Sequence, residues 1–182
     1  MSWGCPQAPV IPTMHNPKNN QRRRIAQSFQ DAFRGIADCV KMERNMRIHI
    51  TVCFYIVVCA CFIGLERGEF AALFLAIGAV ISAEMFNTSI EKLCDFNQKN
   101  FNYHIKIIKD ISAGAVLVSA FVAACVGFAI LFRPELWNFL VMVVNTPQLF
   151  LLFLVTLVLA VIFIFIGPVC VADKLRAFWK KK

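Results

Sequence analysis

The chain has 182 residues, of which 59% are hydrophobic and 16% charged, with a mean hydropathy of +0.65 and a formal charge of +8 at pH 7. This apolarity excludes an ordinary soluble domain and predicts an all-α integral membrane protein with several spans. Neither a nucleic-acid motif nor a glycine-rich phosphate loop is present, so we expect no nucleic-acid partner and no soluble type of nucleotide fold.

The first part of the chain divides into a polar tail and an amphipathic segment. Residues 1–21 are polar and proline-rich, which predicts a disordered tail. In residues 25–46, apolar side chains such as Ile25, Phe29 and Phe33 recur at helical spacing. Because this segment is basic and leads directly into an apolar run, we expect an amphipathic helix on the membrane surface.

Three apolar runs predict the transmembrane core. Each contains about enough residues to cross a bilayer as a helix. They are residues 48–64, 70–90 and 111–132. A short polar turn, residues 65–69, joins the first two runs, and a lysine-bearing connection, residues 92–110, leads to the third.

The chain continues with an uncharged stretch, residues 136–172, that is too long for one span and too short for two. Pro147 divides it. We expect residues 136–144 to form an interfacial segment anchored by Trp137, because tryptophan favours the membrane–water boundary. Residues 149–171 then form a fourth transmembrane helix, followed by a basic tail.

These elements predict three regions: the tail of residues 1–21, a membrane domain of residues 22–134, and a C-terminal extension of residues 135–182. If both termini are cytoplasmic, 17 of the 19 lysine and arginine residues lie on the cytoplasmic side. Positive charge favours that side of a membrane. We therefore expect a multi-pass protein of the cytoplasmic (inner) membrane with both termini inside.

An acidic stripe lies at the end of the second predicted span. At about 100° per residue, four polar side chains that follow Glu84 in this segment fall within about 60° of it. They are Asn87, Thr88, Glu91 and Asp95. Ionisable groups at membrane depth are functional candidates, and a stripe of oxygen ligands suits a hard cation such as Mg²⁺.

Two further polar clusters are expected on the same cytoplasmic side. Glu43-Arg44-Asn45 ends the amphipathic helix, and Lys109-Asp110 leads into the third span. Glutamates on two helices can hold Mg²⁺ while nucleotide phosphates complete its shell. A cation can neutralise charge on a transferring phosphoryl group, and a desolvated carboxylate can accept the proton of an alcohol. These clusters together indicate phosphoryl transfer.

Each cluster also has a structural interpretation. Glu43 and Arg44 could be ordinary juxtamembrane charges, and Lys106 with Asp110 could be a pair on a helix surface. The alternative from another class is a non-catalytic membrane protein, either a channel or a scaffold. A channel predicts polar residues along a whole span, whereas the acids of this chain cluster at one end.

Residues 84–95 carry the pattern Glu-x-x-Asn-Thr-x-Ile-Glu-x-x-x-Asp. This pattern, followed by Lys109-Asp110, resembles the small prokaryotic membrane diacylglycerol kinases and undecaprenol kinases. Glu43-Arg44-Asn45 and the residues around it are similar to the undecaprenol-kinase branch. The resemblance covers about residues 24–132.

The resemblance implies an ATP- and Mg²⁺-dependent lipid kinase that phosphorylates the hydroxyl of undecaprenol or diacylglycerol, in phospholipid or cell-wall lipid-carrier recycling. It also implies a homotrimer whose active sites are shared between subunits. Roles are carried over by motif. Glu84 is similar to the catalytic base, and Glu43 and Glu91 are similar to the metal ligands. The residues similar to the nucleotide site are Glu43, Glu91, Asn87, Asp95, Lys109 and Asp110. Further candidates are Arg44, Asn45 and Thr88.

Two features depart from the family. A tyrosine-histidine pair commonly lies nearer the last aspartate of the signature, whereas Tyr103-His104 falls two residues further on in this chain. The extension after about residue 132 is additional. We expect its span to lie at the periphery of the usual trimer.

Overall fold

The computed structural model describes the backbone of residues 20–97 and 102–180, and the side chains of residues 24–96 and 102–167. These residues form six α-helices and no strand, which confirms the predicted all-α fold. The helices are α1 (Asn20–Met42), α2 (Arg44–Ile63), α3 (Arg67–Asn97), α4 (Tyr103–Leu131), α5 (Pro134–Asn145) and α6 (Pro147–Lys180). The predicted tail, apart from its last two residues, lies outside the described residues.

Four of these helices are long and apolar enough to cross a membrane. They are α2, α3 over Arg67–Phe96, α4, and α6 over Pro147–Gly167. The three core spans and the fourth C-terminal span are therefore confirmed, and the chain is an integral membrane protein. With 12 residues, α5 is too short to cross a bilayer.

The chain divides into two units, Met1–Gly35 and Ile36–Lys182. The described part of the first unit is the beginning of α1, where Ile25, Phe29 and Phe33 are exposed. Exposed apolar side chains at this spacing fit the predicted membrane-surface face.

The predicted end of the amphipathic helix was wrong. Instead of continuing to residue 46, α1 ends at Met42, and Glu43 adopts an extended conformation with φ −105° and ψ 123°. Glu43 is therefore the N-cap residue of α2, and Arg44 and Asn45 form the first turn of the first span. Helical periodicity does not reveal this break, because the polar residues on both sides of it are compatible with either helix.

The predicted connection of residues 92–110 was also wrong in extent. The second span continues as α3 to Asn97, and α4 begins at Tyr103. Asn102 caps α4, since its side-chain oxygen accepts a hydrogen bond from the His104 amide at 2.9 Å. Polar residues here belong to helix ends rather than to a loop, because a solvated helix tolerates lysine and aspartate on its surface.

Helices α3 and α4 form the most extensive helix pair, and α2 contacts α3, α4, α5 and α6. Ala60, Leu65 and Leu73 make a buried cluster at the turn between α2 and α3. The extension packs on α2 through aromatic pairs. The Phe62 and Phe139 rings stack at 4.7 Å, and the Tyr55 and Phe153 rings meet edge to face at 6.2 Å.

Gly64 ends α2 in the left-handed conformation, with φ 75° and ψ 57°. Its amide donates to the Ala60 carbonyl oxygen at 3.3 Å, which closes the helix. Gly68, four residues further on, lies in the first turn of α3. An added methyl group would meet no neighbouring atom at either position, so backbone conformation alone distinguishes the two glycines.

We expect Gly64→Ala to lower the free energy of unfolding by about 1 kcal/mol, because a Cβ atom disfavours positive φ. Gly68→Ala is the matched control, and we expect it to be neutral or slightly stabilising because alanine is the better helix former. Reversible unfolding in mixed lipid–detergent micelles measures both. An equal change in the two variants would contradict the assignment.

Candidate active site

The acidic stripe lies on the C-terminal half of α3, and the exposure of its side chains increases along the helix. Glu84 is 1% exposed, and Asn87 and Thr88 are also buried. Glu91 is half-buried and Asp95 is exposed. Because helical spacing places all five on one face, this face runs from the helix-packed interior to the open end of α3.

A hydrogen-bonded chain links α4 to the stripe through Asn87. The Ser112 hydroxyl donates to Asn87 Oδ1 at 2.6 Å, and Asn87 Nδ2 donates to Glu91 Oε1 at 3.0 Å. The Ser112 hydroxyl also lies 3.0 Å from the Lys109 carbonyl oxygen. An ionised carboxylate only accepts, so the amide must turn its nitrogen to Glu91 and its oxygen to Ser112. Ser112 therefore helps to hold Glu91 in place.

Glu84 lacks the partners that its neighbours have. Thr88 Oγ1 donates to the Glu84 backbone carbonyl at 3.0 Å and lies 3.4 Å from Cys39 Sγ. By contrast, Glu84 Oε2 is buried and has no hydrogen-bond partner among the described residues. A buried carboxylate oxygen without a partner destabilises the fold. Glu84 Oε2 is thus available to an incoming proton, hydroxyl or cation.

Glu43 reaches the stripe from the break between α1 and α2. Its Oε1 pairs with Lys92 Nζ of α3 at 3.3 Å. Burial raises the pKa of the nearby Cys39 thiol, and the Glu84 and Glu43 charges raise it further. The Glu43 and Glu91 carboxylates also interact electrostatically with Glu84, and like charges repel. Two further carboxylates, one from the α1–α2 break and one from α3, therefore lie near Glu84.

These carboxylates could supply some, but not all, of the ligands of a divalent cation. Within the described residues, no three histidine, cysteine or acidic side chains are placed to enclose a metal ion. The mutual repulsion of three carboxylates and the unpartnered Glu84 oxygen would both be relieved by a cation. Mg²⁺ commonly takes one or two carboxylates, with water and phosphate oxygens completing its shell. The residues present fit that mode of binding.

The remaining predicted residues lie further out. Lys109 Nζ pairs with Asp95 Oδ1 at 2.5 Å, which links α4 to the open end of α3. Arg44, Asn45 and Asp110 are exposed, and no described hydrogen bond or ion pair joins them to the stripe. The structure therefore brings together Glu43, Glu84, Asn87, Thr88 and Glu91, with the Lys109–Asp95 pair beside them.

Tyr103 and His104 form the first turn of α4, with their rings edge to face at 6.2 Å. Residues 98–101, which precede the capping residue Asn102, lie outside the described residues. Both side chains are exposed. The shifted pair thus begins a helix instead of lying within a connection.

Three side chains of the site were missed from the sequence. Lys92 pairs with Glu43, Ser112 orients Asn87, and Cys39 contacts Thr88. Lys92 follows Glu91 directly and carried no separate signal. The spacing of Ser112 three residues after Lys109 placed it at the start of the third span, but nothing in the sequence indicated its partner on α3.

An apolar cavity of about 410 Å³ lies between α2, α3 and α4. Val80, one helical turn before Glu84, lines it from α3, and His49 lines it from α2. Its other lining residues are almost all aliphatic or aromatic, including Ala124, Gly127 and Phe128 of α4. The cavity therefore suits a hydrocarbon chain within reach of the acidic stripe.

The fold and site define an all-α integral membrane protein with a carboxylate-rich site at one end of its spans. The family model for prokaryotic diacylglycerol kinase matches residues 30–131, and the chain belongs to this family. Members of this family are lipid kinases, so the chain is a phosphotransferase with an alcohol acceptor, as predicted.

Two curated relatives are similar to the chain. The undecaprenol kinase of Bacillus subtilis is 34% identical over 117 residues, which cover 64% of this chain and 94% of that protein. The diacylglycerol kinase of a Synechocystis species is 35% identical over 111 residues, which cover 60% of this chain and 63% of that protein. No solved structure matches the chain significantly.

We expect Ser112→Ala to lower kcat about fivefold to tenfold, because losing one buried hydrogen bond frees the Asn87 amide to rotate away from Glu91. The KM for the lipid acceptor should stay unchanged. Ser119→Ala is the matched control on α4, since the Ser119 hydroxyl donates only locally, to the Ala115 carbonyl at 2.9 Å. Steady-state phosphate transfer measures both, and equal kcat values in the two variants would refute this role for Ser112.

Proposed function

We propose that the chain is an ATP- and Mg²⁺-dependent lipid kinase that transfers the γ-phosphate of ATP to the hydroxyl of a membrane lipid alcohol. The observation that carries the proposal is the burial of Glu84 with one carboxylate oxygen unpartnered. It lies inside the region matched by the family model. A group held in this state is suited to accept a proton rather than to stabilise the fold.

In the proposed reaction, the lipid hydroxyl oxygen attacks the γ-phosphorus of ATP. A new P–O bond forms while the bond from the γ-phosphorus to the β–γ bridging oxygen breaks, and ADP leaves. Glu84 accepts the hydroxyl proton, and its Oε2 is free of other described donors for that purpose. Its near-complete burial keeps water from competing with the lipid as acceptor.

We assign Glu43 and Glu91 to the metal. Mg²⁺ bound there with ATP would offset the negative charge of the phosphates. Glu91 is held by Asn87 and Glu43 by Lys92, so both carboxylates are oriented before a nucleotide arrives. Such preorganisation is what a metal site requires of its surroundings.

We assign the nucleotide to the open end of the site. Asn87 and the Lys109–Asp95 pair flank the path from the exposed end of α3 to the buried Glu84, and Asp110 follows on the surface of α4. Lys109 supplies positive charge for the phosphates. Thr88, Arg44 and Asn45 remain further candidates at its border.

For the acceptor, we propose undecaprenol ahead of diacylglycerol. The similarity to the Bacillus subtilis undecaprenol kinase extends over nearly all of that protein. Separately, the Glu43-Arg44-Asn45 segment resembles the undecaprenol-kinase branch. The apolar cavity one turn from Glu84 can receive hydrocarbon of either lipid. We place the reaction in lipid-carrier or phospholipid recycling.

We further propose that the protein works as a homotrimer in the cytoplasmic membrane, with both termini in the cytoplasm, where ATP is available. The charge distribution supports this orientation. We assign catalysis to residues 22–134, which include the matched region, and treat residues 135–182 as an extension of it.

Glu84→Gln tests the assignment of the base. The amide cannot take up a proton, so we expect phosphate transfer to fall by about 100-fold or more while ATP binding is retained. Glu66→Gln, at the exposed turn between α2 and α3, is the control and should keep full activity. Transfer from labelled ATP in lipid bicelles measures the rate. Full activity in Glu84→Gln would refute the role, and loss of ATP binding would make Glu84 a ligand.

The acceptor preference is tested by offering undecaprenol and diacylglycerol separately to the same bicelle preparation. We expect kcat/KM to be about tenfold or more higher for undecaprenol, which corresponds to about 1.4 kcal/mol of preferential transition-state binding. Equal or reversed values would overturn the preference without affecting the assignment of lipid kinase activity.

A further inference from the structure

Arg47 lies in the first turn of the first span and is only 8% exposed. A buried guanidinium is costly unless its N–H groups are satisfied. None of the described ion pairs involves it. Its described partners are three backbone carbonyl oxygens, in α1 and α6. Nη1 donates to Val40 and Lys41 at 3.1 Å each, and Nε donates to Ile164 at 3.0 Å.

The first two carbonyls are left unpaired by the break at Glu43. In a continuous helix the Val40 and Lys41 oxygens would accept from the amides of Arg44 and Asn45, four residues on. The extended Glu43 ends α1 and places those amides at the start of α2. Arg47 replaces both missing donors with a single nitrogen.

The third carbonyl is left unpaired by a separate break in the C-terminal extension. Its helical donor would be the amide of residue 168, but that residue is proline and has no N–H. The backbone departs from the helix at Gly167, with φ 73° and ψ 160°. A left-handed φ requires glycine, and the extended ψ suits a residue that precedes proline.

Gly167 also places the guanidinium close to the α6 backbone. A Cβ atom there would lie 3.5 Å from Arg47 Cζ and Nη1. One side chain of α2 thus satisfies carbonyls freed by two unrelated breaks, one beside Glu43 and one in the fourth span. We call Arg47 and its three carbonyl partners the Arg47 clamp.

We infer that Arg47 is a positioning residue: it joins the fourth span to the α1–α2 junction and thereby fixes Glu43 against α3. The fourth span is then part of the apparatus that orders the site. The functional half of this inference rests on the proposed metal role of Glu43. The joining of α6 to the junction rests on the contacts alone.

Two variants break the clamp by different routes. Arg47→Lys keeps the charge but lacks the planar fork that serves several acceptors at once. Gly167→Ala/Pro168→Ala leaves Arg47 in place and restores an amide that can pair with the Ile164 carbonyl. Arg67→Lys, exposed at the opposite end of α2 and α3, is the control.

The first measurement follows the junction without reference to activity. Cys39 is 4% exposed and immediately precedes Val40, whose carbonyl the clamp holds. We expect a polar maleimide to alkylate Cys39 about tenfold faster in Arg47→Lys, as followed by peptide mass spectrometry of the full chain in bicelles. The double variant should give a smaller increase, since the contacts to α1 remain. Unchanged labelling in the double variant would overturn the joining of α6 to the junction, and unchanged labelling in Arg47→Lys would overturn the clamp as a whole.

The second measurement is the Mg²⁺ concentration needed for half-maximal phosphate transfer, with Glu43→Gln as reference. We expect Arg47→Lys to raise it about tenfold, in the same direction as Glu43→Gln. If Glu43→Gln raises the requirement and Arg47→Lys does not, the positioning role is wrong. If Glu43→Gln leaves it unchanged, the proposed metal role of Glu43 is wrong, while faster Cys39 labelling still supports the clamp.

Discussion

A buried helix carbonyl that loses its amide partner needs another donor, because leaving it unpaired costs free energy. Among the described residues, Arg47 supplies such a donor at two interruptions, at Glu43 and at Gly167. The first interruption lets a carboxylate leave the helix axis and approach α3, which an unbroken helix from the membrane surface into the first span would not allow. The site therefore depends on an interaction that involves none of its own side chains.

Hydrogen-bond partners also distinguish the residues of the acidic stripe on α3. Asn87 accepts from Ser112 and donates to Glu91, and Thr88 donates its hydroxyl to the backbone. These hydrogen bonds hold both side chains in place. Glu84 differs from them, because one of its oxygens is buried without a donor. The contrast between satisfied neighbours and one unsatisfied carboxylate separates the residues that hold the site from the residue suited to react.

The sequence predicted most of the architecture because hydropathy and helical period report directly on burial in a membrane. It placed four spans and the acidic face of α3 with Glu84 at its deepest point. It did not reveal the break at Glu43, because a single polar residue between two helices does not change the spacing of the apolar residues. Lys92 and Ser112 were missed for a different reason: their roles come from partners 49 and 25 residues away, and only packing determines such pairs.

The acceptor of Arg47 Nε on α6 has a consequence for the surroundings of the protein. In a chain that ended after α4, an arginine at this depth would turn to water or to the phosphate of a neighbouring phospholipid, since these are the acceptors at a membrane boundary. Here the Ile164 carbonyl takes that place. The chain thus supplies from its own backbone an acceptor that a lipid phosphate would otherwise provide, so this contact of the junction beside Glu43 needs no lipid headgroup.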